Sequence, residues 1–388
     1  MKVLQINSVC GIRSTGRICT DIADVLTANG HECKIVYGRE TVPEKYKKYA
    51  VRIGSNTDVK LHALESRLFD NSGFGSKKAT NDFIKWVKEY DPDVIHLHNI
   101  HGYYINIEIL FNYLKSCNKR IIWTLHDCWP FTGHCSYFTM VKCEQWKAHC
   151  SYCVQKHCYP SSILADHCKS NFERKRALVS GIKDMTLITP SKWLADLVSE
   201  SFLKKYPVKV IHNGIDLSVF KPTESDLRKK YGLTDKKVIL GVASVWDERK
   251  GLDDFIKLSD LLDRQYQIVL IGLSDRQLKK MPDNVIGIKR TDSVTELAQW
   301  YTTADVFINL TYEDNYPTVN LEAQACGTPC ITYRTGGSVE SVPEENIVDA
   351  GDISTIKSML TNSQLSIAAN DLSLNTAIGD YISVYRGA

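Results

Sequence analysis

The chain contains no apolar run of about 18 residues, so nothing in it reads as a membrane-spanning helix. It has no low-complexity tract and no internal repeat of short period, which sets aside disordered and solenoid architectures. No excess of one charge dominates: 48 Lys+Arg stand against 45 Asp+Glu. The basic residues are spread out and no RNA or DNA motif is present, so no nucleic-acid partner is expected. Two nucleotide fingerprints are also missing. Gly11-Ile12-Arg13-Ser14-Thr15-Gly16-Arg17 nearly spells a P-loop, but Arg17 replaces the lysine and Ile18 the magnesium-binding hydroxyl, which argues against an ATPase or GTPase. The same stretch does not spell GxGxxG, although Glu40 could mimic the acid that holds an NAD ribose. The opening residues Met1 to Ile6 read as a strand rather than a signal peptide, so a cytoplasmic protein is expected.

What is present is an α/β alternation. At 388 residues with 43% apolar content and 24% charge, two soluble domains are the default. Val3 to Ile6 reads as a buried strand. Ile18, Ile22, Val25 and Leu26 recur at helical spacing, and Lys34 to Tyr37 begins a second strand, completing a βαβ unit. Strands are expected again at Asp93 to Leu97, Arg120 to Leu125, Leu187 to Thr189 and Val208 to Ile211. Past Asn213-Gly214-Ile215-Asp216 the alternation restarts, with strands at Val238 to Val242, Ile268 to Ile271, Val285 to Ile288 and Val306 to Leu310. Two doubly wound, Rossmann-like domains are therefore expected, residues 1–215 and 216–370, facing a central cleft, with residues 371–388 as a terminal helix.

The most informative segment is Tyr312 to Tyr333. It runs from a strand through a loop into a helix with Thr318 as a plausible N-cap, and Gly327-Thr328-Pro329 stops that helix. A helix start points its N–H groups at the loop, where a pyrophosphate is favourably held. Asp314 and Glu322, eight positions apart, suit sugar hydroxyls; an ordinary capped helix with surface acids is the alternative. Earlier, Trp246-Asp247-Glu248-Arg249-Lys250-Gly251 follows a strand and precedes a helix. Lys250 there places an ammonium over the strand ends, where it could meet a phosphate. Gly16 and Arg17 are weaker candidates for phosphate contact.

Seven of the 13 cysteines lie between Cys128 and Cys168. Cys135, Cys143, Cys150 and Cys153 have the spacing C-x7-C-x6-C-x2-C, which suits a closed structural zinc site better than disulfides in a cytosolic chain. His134, His149, His157 and Cys158 are substitute ligands, and free thiols or a redox role are the alternatives. This insertion, about residues 128–168, carries Trp129, Phe131, Tyr137, Phe138, Trp146 and Tyr152. Packing against the domain is preferred for them over an apolar lip for a lipid-linked acceptor.

Together, Ser14-Thr15-Gly16-Arg17, Thr124-Leu125-His126-Asp127, Thr189-Pro190-Ser191, Asn213 to Asp216, Arg249-Lys250-Gly251 and Asp314 to Glu322 with Cys326-Gly327-Thr328-Pro329 resemble retaining glycosyltransferase family 4, of GT-B fold. The resemblance is strongest to bacterial enzymes of colanic acid, capsule and other surface polysaccharides, and it covers nearly the whole chain. It implies transfer of a sugar from a UDP- or GDP-sugar to a glycan or undecaprenyl-type lipid-linked acceptor, with retention of configuration and no metal or other cofactor for the transfer itself. By the same resemblance Glu322 holds the ribose hydroxyls. Asp314 and the backbone of Asn315, Tyr316, Pro317 and Thr318 meet the donor sugar and pyrophosphate. Lys250 clamps phosphate and His126 contacts the donor sugar. Thr291 and Asp292 lie near the base, and the terminal helix carries Tyr381 and Tyr385 back to the first domain. The arginine usually found six residues before the lysine is Ser244 here, and Arg249 or Arg17 is the candidate to replace its charge.

Net charge is uneven along the chain. Up to Ile215 there are 30 Lys+Arg against 20 Asp+Glu; beyond it the counts are 18 and 25. The basic half suits a phosphorylated acceptor or peripheral contact with an anionic membrane at the inner face of the cell, and a solvated surface is the plainer reading. The competing functions are a non-catalytic sugar-nucleotide-binding subunit and, more remotely, an NAD-dependent zinc oxidoreductase.

Overall fold

The structure is a computed structural model that describes residues 1–362, 365–368 and 373–387. The chain forms two compact units, Met1–His212 with Ile378–Ala388, and Asn213–Ala377. The expected boundary at 370/371 lies outside the described residues.

The first unit is built on seven parallel strands: β1 (Lys2–Ile6), β2 (Glu32–Tyr37), β3 (Ala50–Arg52), β4 (Val94–Leu97), β5 (Arg120–Thr124), β6 (Met185–Thr189) and β7 (Val208–Val210). Their order is β3-β2-β1-β4-β5-β6-β7. Ile6 registers with Val36 on one side and Leu97 on the other. Val94 to Leu97 are buried throughout, as a strand covered by helices on both faces requires.

The second unit repeats the plan with β8 (Lys237–Val242), β9 (Tyr266–Ile271), β10 (Val285–Ile288), β11 (Val306–Asn309), β12 (Cys330–Tyr333) and β13 (Ile347–Val348), in the order β10-β9-β8-β11-β12-β13. Both units are Rossmann-like parallel sheets. Strands β3 and β13 were not expected from the sequence. They have three and two residues and sit at sheet edges, too short for an apolar period to show.

This order fixes where ligands can bind. In each sheet the winding reverses beside a central strand, at β1/β4 and at β8/β11, and the carboxyl ends of those strands open a crevice. In the second unit the two loops that leave the switch point are Ala243–Gly251 and Leu310–Pro317. They carry Lys250 and Asp314. In the first unit, the loop after β1 leads into the helix Arg13–Ala28, which buries Gly16.

The terminal helix Leu374–Arg386 ends against the first sheet. Tyr381 and Tyr385 are buried, the Tyr385 hydroxyl lies 2.7 Å from His96 Nδ1, and Arg120 donates to the Val384 carbonyl at 3.0 Å.

Candidate nucleotide-sugar site

The loop after β8 folds into a 3-10 turn, Glu248–Lys250, closed by Gly251 in the left-handed region at φ 68°. Any side chain at Gly251 would meet the Leu310 carbonyl at 2.2 Å, so the glycine lets this loop lie directly against the end of β11. The contact is then tied down: Tyr312 N–H donates to the Arg249 carbonyl at 2.8 Å, and the Arg249 guanidinium donates to the Glu313 carbonyl at 2.6 Å. Lys250 Nζ donates to the Asp314 carboxylate. Burial pushes the Asp314 carboxyl up, but the nearby charges of Lys250 and Arg249 outweigh it and hold the group below the ordinary aspartate range. Two cations therefore converge on one loop at the switch point. Ser244 is exposed just past β8, and Arg249 brings a second charge beside Lys250.

Helix Thr318–Ala325 begins next to that loop. The expected N-cap, Thr318, is instead the first helical residue. Pro317 holds the cap position at φ −70° and ψ 118°, and no side chain caps the helix. The proline ring fixes φ near the cap geometry and its carbonyl already accepts from Asn320 N–H at 3.2 Å. The first-turn N–H groups are thus not taken by a capping side chain, which is the state an anion-binding helix start needs. Asn315 and Tyr316 are buried, and the Tyr316 carbonyl accepts from Asn213 at 3.1 Å.

Glu322 is buried and its Oε2 accepts from the Tyr301 hydroxyl at 3.0 Å. Asn320 is held by Asn309, Ser338 and Ser341, fixing the helix to β11 and to the 3-10 turn Gly336–Ser341. The sequence reading missed Tyr301, Ser338, Ser341 and Gly336. The Gly336-Gly337 pair after β12 was the available signal, since paired glycines mark a backbone that passes close to something. Asp254, also missed, is buried and accepts from Tyr312, Tyr333 and Lys257 at 2.6, 2.9 and 2.9 Å. Thr291 and Asp292 follow β10, and Asp292 N–H donates to Glu296 at 2.6 Å.

In the first unit, His126 follows β5 and belongs to a chain of imidazoles. Gln5 donates through Nε2 to the Cys19 carbonyl at 2.8 Å, which fixes its amide so that Oε1 faces His98 Nε2 at 3.1 Å. His98 therefore carries its proton on Nε2 and presents Nδ1 as an acceptor to His126 Nε2 at 3.1 Å. His126 is Nε2-protonated as a consequence. Burial pushes the His126 imidazole down to about 4, against the pull of Asp127, and His98 lies well below the ordinary histidine value for the same reason. Gly16 and Arg17 lie on Arg13–Ala28. Glu40 pairs with Arg13 at 2.6 Å. A depression of about 320 Å3 in this unit, lined by Arg52, Asp58, Lys78, Asp82, Phe83 and Trp86 among others, holds none of the expected site residues.

The cysteine-rich insertion packs inward. Trp129, Phe131, Phe138 and Trp146 are buried in the core of the first unit, as preferred over an apolar lip, while Tyr152 is exposed. Gly133 N–H donates to Cys150 Sγ at 3.4 Å and a side chain at Gly133 would meet Cys168 Sγ at 2.6 Å, while the N–H groups of Cys153 and Cys168 both donate to the Asp166 carboxylate at 2.9 Å. Cys143 is half-buried and packs against the same core as these cysteines. Among the described residues, no group of three or more His, Cys, Asp or Glu side chains is arranged around a common point as metal ligands are.

Comparison with known proteins adds the following. The family model for Glycosyltransferase Family 4 matches residues 15–219, and that for Glycosyl transferases group 1 matches residues 236–362. The chain is 31% identical over 175 residues to a D-inositol 3-phosphate glycosyltransferase of Arthrobacter sp. (strain FB24), a match spanning 41% of each chain. It is 22% identical over 364 residues to the putative colanic acid biosynthesis glycosyl transferase WcaC of Escherichia coli (strain K12), spanning 88% of this chain and 85% of that one. Among solved structures, a sucrose-phosphate synthase from Thermosynechococcus elongatus superposes with a TM-score of 0.73 at 17% identity over 99% of this chain and 98% of its own. Anabaena Alr3699/HepE in complex with UDP-glucose superposes at 0.66 with 14% identity over 99% and 100%. These likenesses show the GT-B fold.

Proposed function

The chain belongs to glycosyltransferase family 4, and on that premise we propose that it transfers a sugar from a nucleotide-diphosphate sugar to a glycan or lipid-linked acceptor, with retention of configuration, in surface-polysaccharide synthesis. The observation that carries the proposal is the convergence of Lys250 and Arg249 on the Asp314 loop, next to a helix start that no side chain caps. Such a place suits a diphosphate: an ammonium, a guanidinium and main-chain N–H groups meet its charge without a metal. A carboxylate held by Tyr301, that of Glu322, stands four residues into the same helix and suits the ribose hydroxyls.

The reaction asks little else of the protein. As the glycosidic bond breaks, negative charge grows on the leaving diphosphate, and Lys250 with the helix start stabilises it more than it stabilises the ground state. In a front-face displacement the departing phosphate takes the acceptor's proton, so no protein base is required. For the first unit the reading makes His126 a sugar-contacting group, presented neutral and in one tautomer. A UDP-sugar is the donor to try first, because a structural relative was solved with UDP-glucose; a GDP-sugar is the second. No helix among the described residues is long and apolar enough to cross a membrane. The basic first half suits peripheral contact with a lipid-linked acceptor.

The test is donor consumption by purified protein against a panel of UDP- and GDP-sugars, with and without lipid-linked saccharide, followed by the anomeric configuration of any product by NMR. Saturable donor turnover with an α-configured product from an α-linked donor is expected. Binding of the nucleotide sugar with no turnover under any acceptor would favour the non-catalytic reading.

A further inference from the structure

We propose that Cys135, Cys150, Cys153 and Cys168 form a structural zinc site. The spacing of the cysteines had suggested Cys143 as the fourth ligand. The fold gathers a different set, because helix Cys168–Val179 begins where the insertion returns and delivers Cys168 to the other three. Gly133 marks how closely they are drawn together: a side chain there would meet the Cys168 carbonyl at 2.2 Å and its sulfur at 2.6 Å.

Three observations point to an ion rather than to four ordinary thiols. First, the fold draws the four together: Gly133 lies against both Cys150 and Cys168, the N–H groups of Cys153 and Cys168 share the Asp166 carboxylate at 2.9 Å each, and Cys135 follows Gly133 by two residues. A tetrahedral site with Zn–S of about 2.3 Å sets its sulfurs about 3.8 Å apart. Among the described residues the four sulfurs are not yet arranged around one point, and closing the site takes rotation of three side chains on a loop without regular structure toward Cys168 at its helix start. Second, the surroundings suit the charge that would result. Zinc with four thiolates carries a net charge of −2, and a buried dianion needs N–H donors and cations. Gly133 N–H donates to Cys150 Sγ at 3.4 Å. The buried Lys175 amine, which donates to the Trp129 and Thr132 carbonyls at 2.9 and 3.1 Å, has Cys168, Cys135 and Cys150 among its electrostatic neighbours. His134 is buried, bonded through Nδ1 to Asp70, and its Nε2 has no hydrogen-bond partner, while Cys153 is among the groups that act on it electrostatically. Third, the segment from Thr132 to His167 contains one 3-10 turn and no strand or α-helix, yet it buries Phe138 and Trp146. A loop of that length without regular structure is uncommon unless something pins it, and a metal at the base of the loop would do so.

Binding is not a redox step: the four thiols release their protons as they take the ion. A structural zinc takes no part in the transfer chemistry, so its test does not depend on activity. Full-length protein from zinc-supplemented culture, dialysed and measured by plasma mass spectrometry, should carry about one zinc per chain. C143S should keep that stoichiometry and C168S should lose it by about five-fold or more. Where C168S does not fold, the wild type serves: chelation should raise alkylation of Cys135, Cys150, Cys153 and Cys168 about five-fold or more, with Cys143 and Cys158 labelled alike in both states. Less than about half an equivalent of zinc, with labelling unchanged by chelator, overturns the site. So does zinc loss in C143S equal to that in C168S, or an intact mass showing a disulfide among the four. Iron at one per chain overturns zinc as the occupant.

Discussion

Lys250 donates a hydrogen bond to Asp314 with only 18% and 16% of the two side chains exposed. That is too sheltered for an ordinary surface ion pair, which contributes about 0–1 kcal/mol. It also means that the lysine reaches a phosphate only by sharing or leaving the aspartate. The pair holds the ammonium aimed and desolvated before the donor arrives, and orientation set in advance is what makes such a charge effective.

Lys250→Ala should therefore leave a folded protein and lower turnover by about 10²-fold or more, as loss of one charge-stabilising donor typically does. Donor consumption and thermal melting measured side by side check this. Near-wild-type turnover would remove the lysine from the chemistry.

Asp314→Asn tests the other half of the pair. It frees the ammonium, so affinity for the bare nucleoside diphosphate should rise a few-fold while transfer falls by about ten-fold or more, since a sugar-facing carboxylate is lost. Calorimetry with UDP, set against initial rates, separates the two effects. A matched fall in both would mean that Asp314 holds the loop rather than the sugar.

Tyr301→Phe removes the hydroxyl that donates to Glu322 Oε2 at 3.0 Å. A hydrogen bond to a charged, buried acceptor contributes about 1.5–3 kcal/mol. The donor KM should rise about ten-fold with kcat nearly unchanged if Glu322 grips the ribose. A lowered melting temperature with unaltered KM would confine the contact to stability.

The sequence made these residues legible to different degrees. Lys250, Asp314 and Glu322 could be named because each lies at a fixed offset from a strand end or a helix stop, and the core strands because their apolar runs are continuous. Arg249 could be offered only as one of two replacements for the charge absent at Ser244, since which cation points at Asp314 is a matter of side-chain direction. Tyr301 was invisible: it reaches Glu322 from a different helix, Val294–Thr303, and no local pattern announces that contact. Thr318 was assigned the cap by residue preference, and the rigid φ of Pro317 moved the helix start one residue earlier. Cys143 fitted a spacing rule, whereas the return of Cys168 to Gly133, fifteen residues past Cys153, is a tertiary contact that no spacing rule announces.

Gly336 supports the site from below. It sits at φ 54°, and an added side-chain carbon would meet the Asp314 carbonyl at 2.1 Å. Gly232 has a similar φ of 66° with nothing within 4 Å. Gly232→Ala should cost only the backbone penalty of about 1 kcal/mol, whereas Gly336→Ala should cost more, about 1–3 kcal/mol, and displace the Asp314 loop, lowering activity as well. Urea melts of both variants with rates on the same samples make the comparison. Equal effects would show that the crowding at Asp314 relaxes freely.

The histidines of the first unit set its response to acid. Gly75 N–H donates to His62 Nε2 at 3.1 Å, so His62 carries its proton on Nδ1, which faces the Ser76 hydroxyl at 2.9 Å. Adding a second proton at Nε2 would oppose the Gly75 N–H and charge a buried ring. Burial accordingly pushes this imidazole down from 6.5 to about 4, and burial holds His96 and His98 well below 6.5 as well. Between those folded values and 6.5 the unfolded chain binds more protons than the folded one. Stability is therefore complete above about pH 6.5 and is lost as pH falls toward 4. His62 alone accounts for about 3 kcal/mol of that loss, at 1.36 kcal/mol per pKa unit. The urea midpoint should drop steadily across this window, and already between about pH 6.5 and 5.5, where few carboxylates protonate. His62→Gln, which supplies an acceptor and a donor but cannot charge, should flatten the slope. A midpoint independent of pH from 6.5 to 4.5 in the wild type would mean that these rings are already protonated in the folded protein, and the tautomer assigned to His126 through His98 would fall with them.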